Sequence, residues 1–459
     1  MRMTAEEVAR VAAGTLEGDG SVCLTGAEVD SRRLRPGDIF VALPGARRDG
    51  HDFVDDALRV AGAALVRRDV PLSEPPPGRA LVRVDQPLDA YHELARRECR
   101  ERPWKVVAVT GSVGKTTTKD FLARFLATRW PTGASEGNRN STLGLPAEIL
   151  SQDEGIEIFV AEAGMSSVGE LTTLGEILRP SVVLYTRIAP VHTEFFPDIE
   201  GIVRAKAELL TWLDDRGTLV INADDPHQES FPDETGARVL RYGGARSEAR
   251  IENLEDRGLL GSRFLLVLPD SEATVELGLA GVYQAENLLA AAAAASVFGV
   301  SAKDVANAAP DLRPAAHRGR VLALADGISL VDDSYNASPL AVARVLELLA
   351  RAPGRRIAVL GEMYELGELA GEAHETVGEK AAVSCDLLVA VGGADARRVV
   401  ASAMRAGLPE RAVHLAGDAE EAVELLRGLL RAGDVVLVKG SRGVGLDRTV
   451  AALAGEEAA

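Results

Sequence analysis

The chain runs to 459 residues, long enough for two to four domains that each bury a core. Its 46% hydrophobic and 26% charged residues exclude wholesale disorder, and the formal net charge of −18 excludes sequence-independent nucleic-acid binding, because such a surface repels a phosphate backbone. Cys23, Cys99 and Cys385 are scattered and read as reduced thiols, and with no apolar secretory core near Met1 and no run of membrane-spanning length, the expectation is a cytoplasmic protein without membrane insertion.

In chain order, residues 4–13 predict a short helix capped by Thr4, and short apolar runs then alternate with turns as far as Val66. Asp30-Ser31-Arg32, Pro44-Gly45 and Arg48-Asp49-Gly50-His51 are turns that could grip a sugar phosphate, or could equally be the polar turns of a small α/β domain. A helix around residues 88–100 ends at Arg102-Pro103, a natural domain boundary.

Residues 105–119 carry the strongest signal. An apolar run over 106–109 predicts a buried strand, Gly111 and Gly114 bracket a tight turn, and the spacing over 116–130 predicts a helix. This is a phosphate-binding loop of the short Gly-x-x-Gly-Lys-Thr form. Glycines let successive N–H groups converge on an anion, the helix start adds partial positive charge, and an ammonium reaches the outer phosphates. Lys115 and Thr116 are the nucleotide-handling pair, with the Thr116 hydroxyl placed to ligate magnesium. The loop alone does not say which nucleoside it takes.

Strands and helices then alternate to about residue 310, which predicts a mainly parallel sheet with its ligand at the strands' carboxyl ends. Glu162 follows the strand at 156–160, where a magnesium ligand is wanted, although a surface salt bridge would also account for a carboxylate there. His192 lies beyond the strand at 182–185, and Lys206 sits in a helical stretch at 202–212, where periodicity alone predicts an exposed lysine paired with Glu208. Short strands are expected over 238–280, an alanine-rich helix over 281–298, and a second boundary around Pro310 and Pro314. Strands at 328–331, 357–360, 387–391 and 435–438 with helices between them predict a doubly wound third domain. The expected units are 1–102, 103–312 and 313–459.

Taken together these stretches resemble the Mur ligases, ATP-dependent amide-forming enzymes that build the peptide stem of the bacterial cell-wall precursor. The resemblance covers essentially the whole chain. It rests on the loop Thr110-Gly111-Ser112-Val113-Gly114-Lys115-Thr116-Thr117-Thr118-Lys119, on Asp333-Ser334-Tyr335-Asn336-Ala337-Ser338-Pro339, on Val359 through Gly367, and on Val438-Lys439-Gly440-Ser441-Arg442. The Asp-Asn-Pro-Arg tetrapeptide of the diamino-acid-adding members is absent, and a likeness to folylpolyglutamate synthases would leave the first hundred residues unmatched.

The resemblance implies a small N-terminal α/β domain that binds the UDP-sugar, a central P-loop ATPase domain with a mainly parallel sheet, and a C-terminal Rossmann-like α/β domain. It implies a monomer that joins D-alanyl-D-alanine to UDP-N-acetylmuramoyl-tripeptide through an acyl phosphate, forming the pentapeptide and releasing ADP and phosphate. The nucleotide would meet Thr110 to Thr117, Asn138, Asn222, Gln284, Asn287, Asp333 and Asn336. Thr116 and Glu162 would hold one magnesium and His192 a second, with Lys206 carbamylated into an oxygen ligand in place of the exposed role that periodicity suggests. Arg320 matches the family arginine near the transferring phosphate, with Arg318 as its rival. Ser31, Arg32, Gly45, Arg48, His51 and Lys439 match substrate-binding positions. Two departures stand out: Tyr283-Gln284 replaces the family's His-Asn, with Gln284 supplying an amide, and Ser338 stands where Asn is commoner.

Overall fold

Three α/β units follow one another in the computed structural model, which describes residues 1–45, 48–191, 193–196 and 198–455. In the first, strands Gly26–Glu28, Asp38–Val41, Ala63–Arg67 and Ala80–Val84 pair in parallel, and Thr15–Gly18 adds an antiparallel edge. The helix Ala5–Val11 begins as expected at Thr4, whose hydroxyl accepts from Glu7 N while the Glu7 carboxylate accepts from Thr4 N. That reciprocal pair satisfies two otherwise orphaned helix donors.

The helix Pro87–Glu101 closes this unit and packs against Gly144–Leu150 and Glu170–Leu178 of the next. Tyr91 and Leu94 on that helix share one continuous core with Trp104, Leu145, Ile149 and Leu174. A buried ion cluster seals the same junction: Arg139 pairs with Glu28 at 3.0 Å and with Glu148 at 3.1 Å. Removing one partner would strand a buried charge at about 3–5 kcal/mol. The first two units are therefore joined by core as well as by linker.

The central sheet has six parallel strands in the order Arg238–Tyr242, Thr218–Asn222, Val182–Tyr185, Lys105–Thr110, Ile158–Glu162, Thr132–Ala134. Its four inner strands are buried on both faces, which is why they read as apolar runs without alternation, whereas the two edge strands are partly exposed. The strand that feeds the phosphate loop lies inside the sheet, flanked by the strand ending at Glu162 and the strand preceding Arg187. The loop's helix, Lys115–Leu126, ends sooner than its periodicity suggests, because Pro131 cannot continue a helix and residues 132–134 join the sheet. It packs on the alanine-rich helix Val282–Ser296. Between them in sequence lies an antiparallel sheet of Arg250–Asp256, Ser262–Leu268 and Ser271–Leu277.

The third unit orders its strands Arg320–Ala323, Ser329–Asp332, Val435–Lys439, Arg356–Gly361, Leu387–Val391, Val413–Ala416, all parallel except the first pair. The two outer strands were not legible as apolar runs because most of their residues are exposed or half-buried. This unit reaches back to the central one: Thr193 Oγ1 donates to Leu366 O at 2.8 Å, and Glu194 N donates to Glu365 O at 3.2 Å. Among the described residues no helix is long and apolar enough to cross a membrane.

Candidate functional site

The carboxyl ends of the central strands open into a cleft of about 520 Å³ whose far wall is the third unit. Its floor is the phosphate loop. Gly111 has φ 138° and Gly114 φ 88°, both in the left-handed half that favours glycine. Space demands glycine too: a Cβ on Gly111 would lie 2.0 Å from Thr186 Oγ1, and one on Gly114 2.5 Å from Asn287 Oδ1.

A strap at residues 186–189 holds the loop from one side. Arg187 O accepts from Ser112 N at 2.7 Å and from Val113 N at 3.3 Å, and Ala189 O accepts from Ser112 Oγ at 2.9 Å. Thr110 closes the same seam, its carbonyl accepting from Thr186 N. The strap is itself fixed by two buried side chains. Asp225 Oδ2 accepts from Ile188 N at 2.7 Å, and Gln228 Nε2 donates to Thr186 O at 2.5 Å. Neither residue was singled out from sequence, although Asp225 follows closely on the strand end at Asn222. Thr117, beside Thr116 in the first turn of the loop's helix, is buried and lines the cleft.

Lys115 folds back so that its Nζ donates to Gly111 O at 2.9 Å and to Ser112 O at 3.2 Å. Burial lowers its pKa, Glu162 opposes that shift and Arg318 adds to it. On the opposite side from the strap, Glu162 ends its strand buried, not on the surface. Its Oε2 accepts from Thr116 Oγ1 at 2.7 Å and its Oε1 from Asn140 Nδ2 at 2.6 Å. Thr116 and Glu162 are hard oxygen donors side by side, a donor set that fits magnesium, which binds through one or two carboxylates completed by phosphate oxygens. Asn138 lines the cleft, yet Asn140 makes the bond to Glu162. The two asparagines stand two residues apart in the sequence, and only the fold distinguishes them.

Lys206 departs furthest from its local pattern. Instead of an exposed partner of Glu208, it is 2% exposed and its Nζ donates to Gly111 O at 2.9 Å. Glu208 is engaged elsewhere, accepting from Gly169 N and Thr172 N. Desolvation, reinforced by Lys115, pushes the Lys206 pKa well below the ordinary lysine value, so the amine tends to lose its proton. His192, the other expected metal ligand, lies outside the described residues.

The far wall brings Asp333, Asn336, Lys439 and Arg318 to the cleft. Lys439 Nζ donates to Asp333 Oδ2 at 2.5 Å and to Asn336 O at 3.0 Å. Burial raises the Asp333 pKa while Lys439 pulls it back. Arg318 lies 4.1 Å from the Tyr335 ring centroid, with Arg442 at 5.6 Å from the same ring. Arg320, the expected arginine, starts an edge strand, is exposed and does not line the cleft. Asn222, Gln284 and Asn287 do line it, with Asn287 Nδ2 donating to Gln284 Oε1 at 3.4 Å.

None of the five N-terminal turn residues lines this cleft. Ser31 and Arg32 lie in a short helix capped by Asp30, and Arg32, with a side chain 86% exposed, is forked onto Asp30 at 2.8 and 2.7 Å. Gly45 N donates to Arg48 O at 2.9 Å, and the Arg48 guanidinium lies 5.9 Å from the Phe53 centroid. His51 is buried with both ring nitrogens engaged: Nδ1 donates to Asp49 Oδ1 at 2.6 Å and Nε2 accepts from Arg67 N at 2.9 Å. Its role inside the domain is to shape the turn, and no ring nitrogen is left over for a ligand.

Known proteins share this sequence and this fold. Family models for the Mur ligase family catalytic domain, the Mur ligase middle domain and the Mur ligase glutamate ligase domain match residues 24–98, 109–295 and 317–442. The UDP-N-acetylmuramoyl-tripeptide–D-alanyl-D-alanine ligase of Bacillus subtilis is 30% identical over 98% of both chains, and its Mycobacterium tuberculosis counterpart is 35% identical over 94% of this chain and 92% of its own. Among solved structures, MurF from Acinetobacter baumannii superposes with a TM-score of 0.88 over 99% of both chains at 26% identity. MurF from Thermotoga maritima in complex with ADP gives 0.80 at 32% identity, covering 94% of this chain and 97% of its own. With its three units matched in order and whole-length relatives on that branch, the chain belongs to the Mur ligase family, among the MurF ligases.

Proposed function

We propose that this protein is an ATP-dependent ligase that joins D-alanyl-D-alanine to UDP-N-acetylmuramoyl-tripeptide, acting in the cytoplasm as a monomer, with units bounded at 1–102, 103–312 and 313–459. The observation that carries the reading is one cleft in which a phosphate loop, the Thr116–Glu162 pair and the buried Lys206 converge, in a chain aligned end to end with relatives bearing that ligase's name.

The chemistry follows from the leaving group. A carboxylate is a poor acyl donor, so the tripeptide's terminal carboxylate attacks the γ-phosphorus of ATP, the bond to ADP breaks, and an acyl phosphate forms. The D-alanyl-D-alanine amine then attacks the carbonyl, and the tetrahedral adduct collapses with loss of phosphate. Lys115 offsets charge developing on the β- and γ-phosphates. The third unit shields the acyl phosphate from water. Thr116, Glu162, His192 and Lys206 would hold magnesium, which supplies charge neutralisation at the transferring phosphoryl group when bound. For Lys206 the supporting chemistry is that a neutral amine adds to carbon dioxide, loses a proton and becomes an anionic carbamate. The UDP-sugar is assigned to the surface of Ser31, Arg32, Gly45 and Arg48, and the nucleotide to the loop with Asn222, Gln284, Asn287, Asp333 and Asn336.

Phosphate release from ATP tests the reading directly. Release with pentapeptide formation is expected only when UDP-tripeptide and D-alanyl-D-alanine are both present. Release supported by a single amino acid, with the dipeptide inert, would move the assignment to a sister ligase; no release with any acceptor would leave a nucleotide-regulated binding module. The two arginines separate by the same assay. Arg318→Ala is expected to lower kcat by about 10²- to 10³-fold as a lost phosphate-facing cation, and Arg320→Ala to stay near wild type. The reverse order would return the role to Arg320.

A further inference from the structure

The cations around the cleft are not equivalent. Lys439 is spent on Asp333, Arg344 on Glu286 at 2.6 Å, and Lys115 on two loop carbonyls. Arg318 and Arg442 lie against the Tyr335 ring. Arg187 lines the cleft half-buried, and among the described residues its guanidinium has neither a carboxylate, a carbonyl nor a ring. A guanidinium held in a cleft with its five donors unspent is poised for an anion that arrives with the ligand.

Its position says which anion. The Arg187 backbone forms an antiparallel bridge with Val113 of the phosphate loop, and residues paired across such a bridge send their side chains to one face. Val113 also lines the cleft. The strap and loop are in close contact, as the Gly111–Thr186 approach requires. In the sheet, the Arg187 strand lies on one side of the phosphate-loop strand and the Glu162 strand on the other. Glu162 and Arg187 thus flank the phosphate loop from opposite sides. Asn222 and Tyr242, which end the next two strands, extend the Arg187 side of the cleft.

Resting on the ligase reading above, we infer that Arg187 binds the phosphates that leave as ADP, chiefly the β-phosphate, while the acceptor carboxylate approaches from the Glu162 side. When the bond between the γ-phosphorus and the bridging oxygen breaks, its electron pair stays on the ADP β-phosphate. A guanidinium there meets charge that grows during the step, so Arg187 contributes to turnover as well as to affinity.

The test measures ADP and AMP binding in magnesium by calorimetry for wild type, Arg187→Ala and Arg187→Lys, with thermal melts as a folding control. Among the described residues the Arg187 guanidinium has no hydrogen bond, ion pair or ring contact to lose, so the melts are expected to coincide. Arg187→Ala is expected to weaken ADP about 10- to 100-fold and to leave AMP nearly unchanged, with Arg187→Lys in between because it keeps the charge and loses the fork. Unchanged ADP affinity overturns the inference. Equal losses for ADP and AMP also overturn it, placing the arginine on the base, ribose or α-phosphate. A wild-type protein that binds ADP and yet releases no phosphate with both acceptors would sink the ligase reading and leave this binding result to be judged separately.

Discussion

Replacing Lys206 with alanine is expected to reduce turnover by more than the roughly 10- to 100-fold that losing an outer-shell partner of a metal costs, while ADP binding stays close to wild type. Two lysines converge on Gly111 O: Lys115 Nζ and Lys206 Nζ each donate to it at 2.9 Å. Two ammonium groups so close in a buried site repel strongly. Each has its pKa lowered by desolvation, Lys206 more severely, with Lys115 adding to its shift. The arrangement becomes favourable if Lys206 carries negative charge, because a carbamate would then face the Lys115 ammonium and offer oxygen to magnesium. Phosphate release by Lys206→Ala, with and without a short carboxylic acid in high bicarbonate, reads this out. The expected result is near-complete loss with partial recovery on adding the acid, and Lys206→Met, of similar volume and apolar, should fold normally yet stay inactive. An unrescued alanine variant with full activity would refute the role.

Lys206 also marks where sequence reasoning reaches its limit. The phosphate loop is legible because its determinants are local: two glycines, a lysine and a threonine within six positions, between an apolar strand and a helix. Lys206 lies near the end of a helix with Arg204, two residues before Glu208, and the carbonyl it donates to is 95 residues away. Helical periodicity contains no trace of that contact, and only resemblance to a family pointed to it. The Arg318-Gly319-Arg320 stretch fails differently. Gly319, at φ 80°, turns the chain between two arginines, so which one faces the cleft depends on a dihedral angle rather than on residue type. His51 reads as a ligand-binding turn residue until its ring is seen to bond Asp49 and the backbone of Arg67. Arg187 had no motif at all; its interest comes from the strap being paired with the loop and from the lack of a partner for its charge among the described residues.

Glu162→Gln is the most informative single substitution on the opposite side of the loop. The carboxylate accepts from two donors, Thr116 Oγ1 on one oxygen and Asn140 Nδ2 on the other, in a site 2% exposed. A glutamine can keep both contacts, its oxygen accepting from Asn140 Nδ2 and its NH2 group donating to Thr116 Oγ1 once that hydroxyl turns its hydrogen away. Two charge-assisted hydrogen bonds become neutral ones of about half the strength, which predicts a modest fall in stability visible in a thermal melt. The effect on magnesium should be larger than that. Loss of the negative charge beside Thr116 is expected to raise the magnesium concentration for half-maximal phosphate release by about 10- to 100-fold, while the requirement for D-alanyl-D-alanine is unaffected. A magnesium titration that matches wild type would reduce Glu162 to a scaffold for Thr116 and Asn140. The two readouts then separate its roles: the melt reports the hydrogen bonds, which the amide half retains, and the titration reports the charge, which it does not.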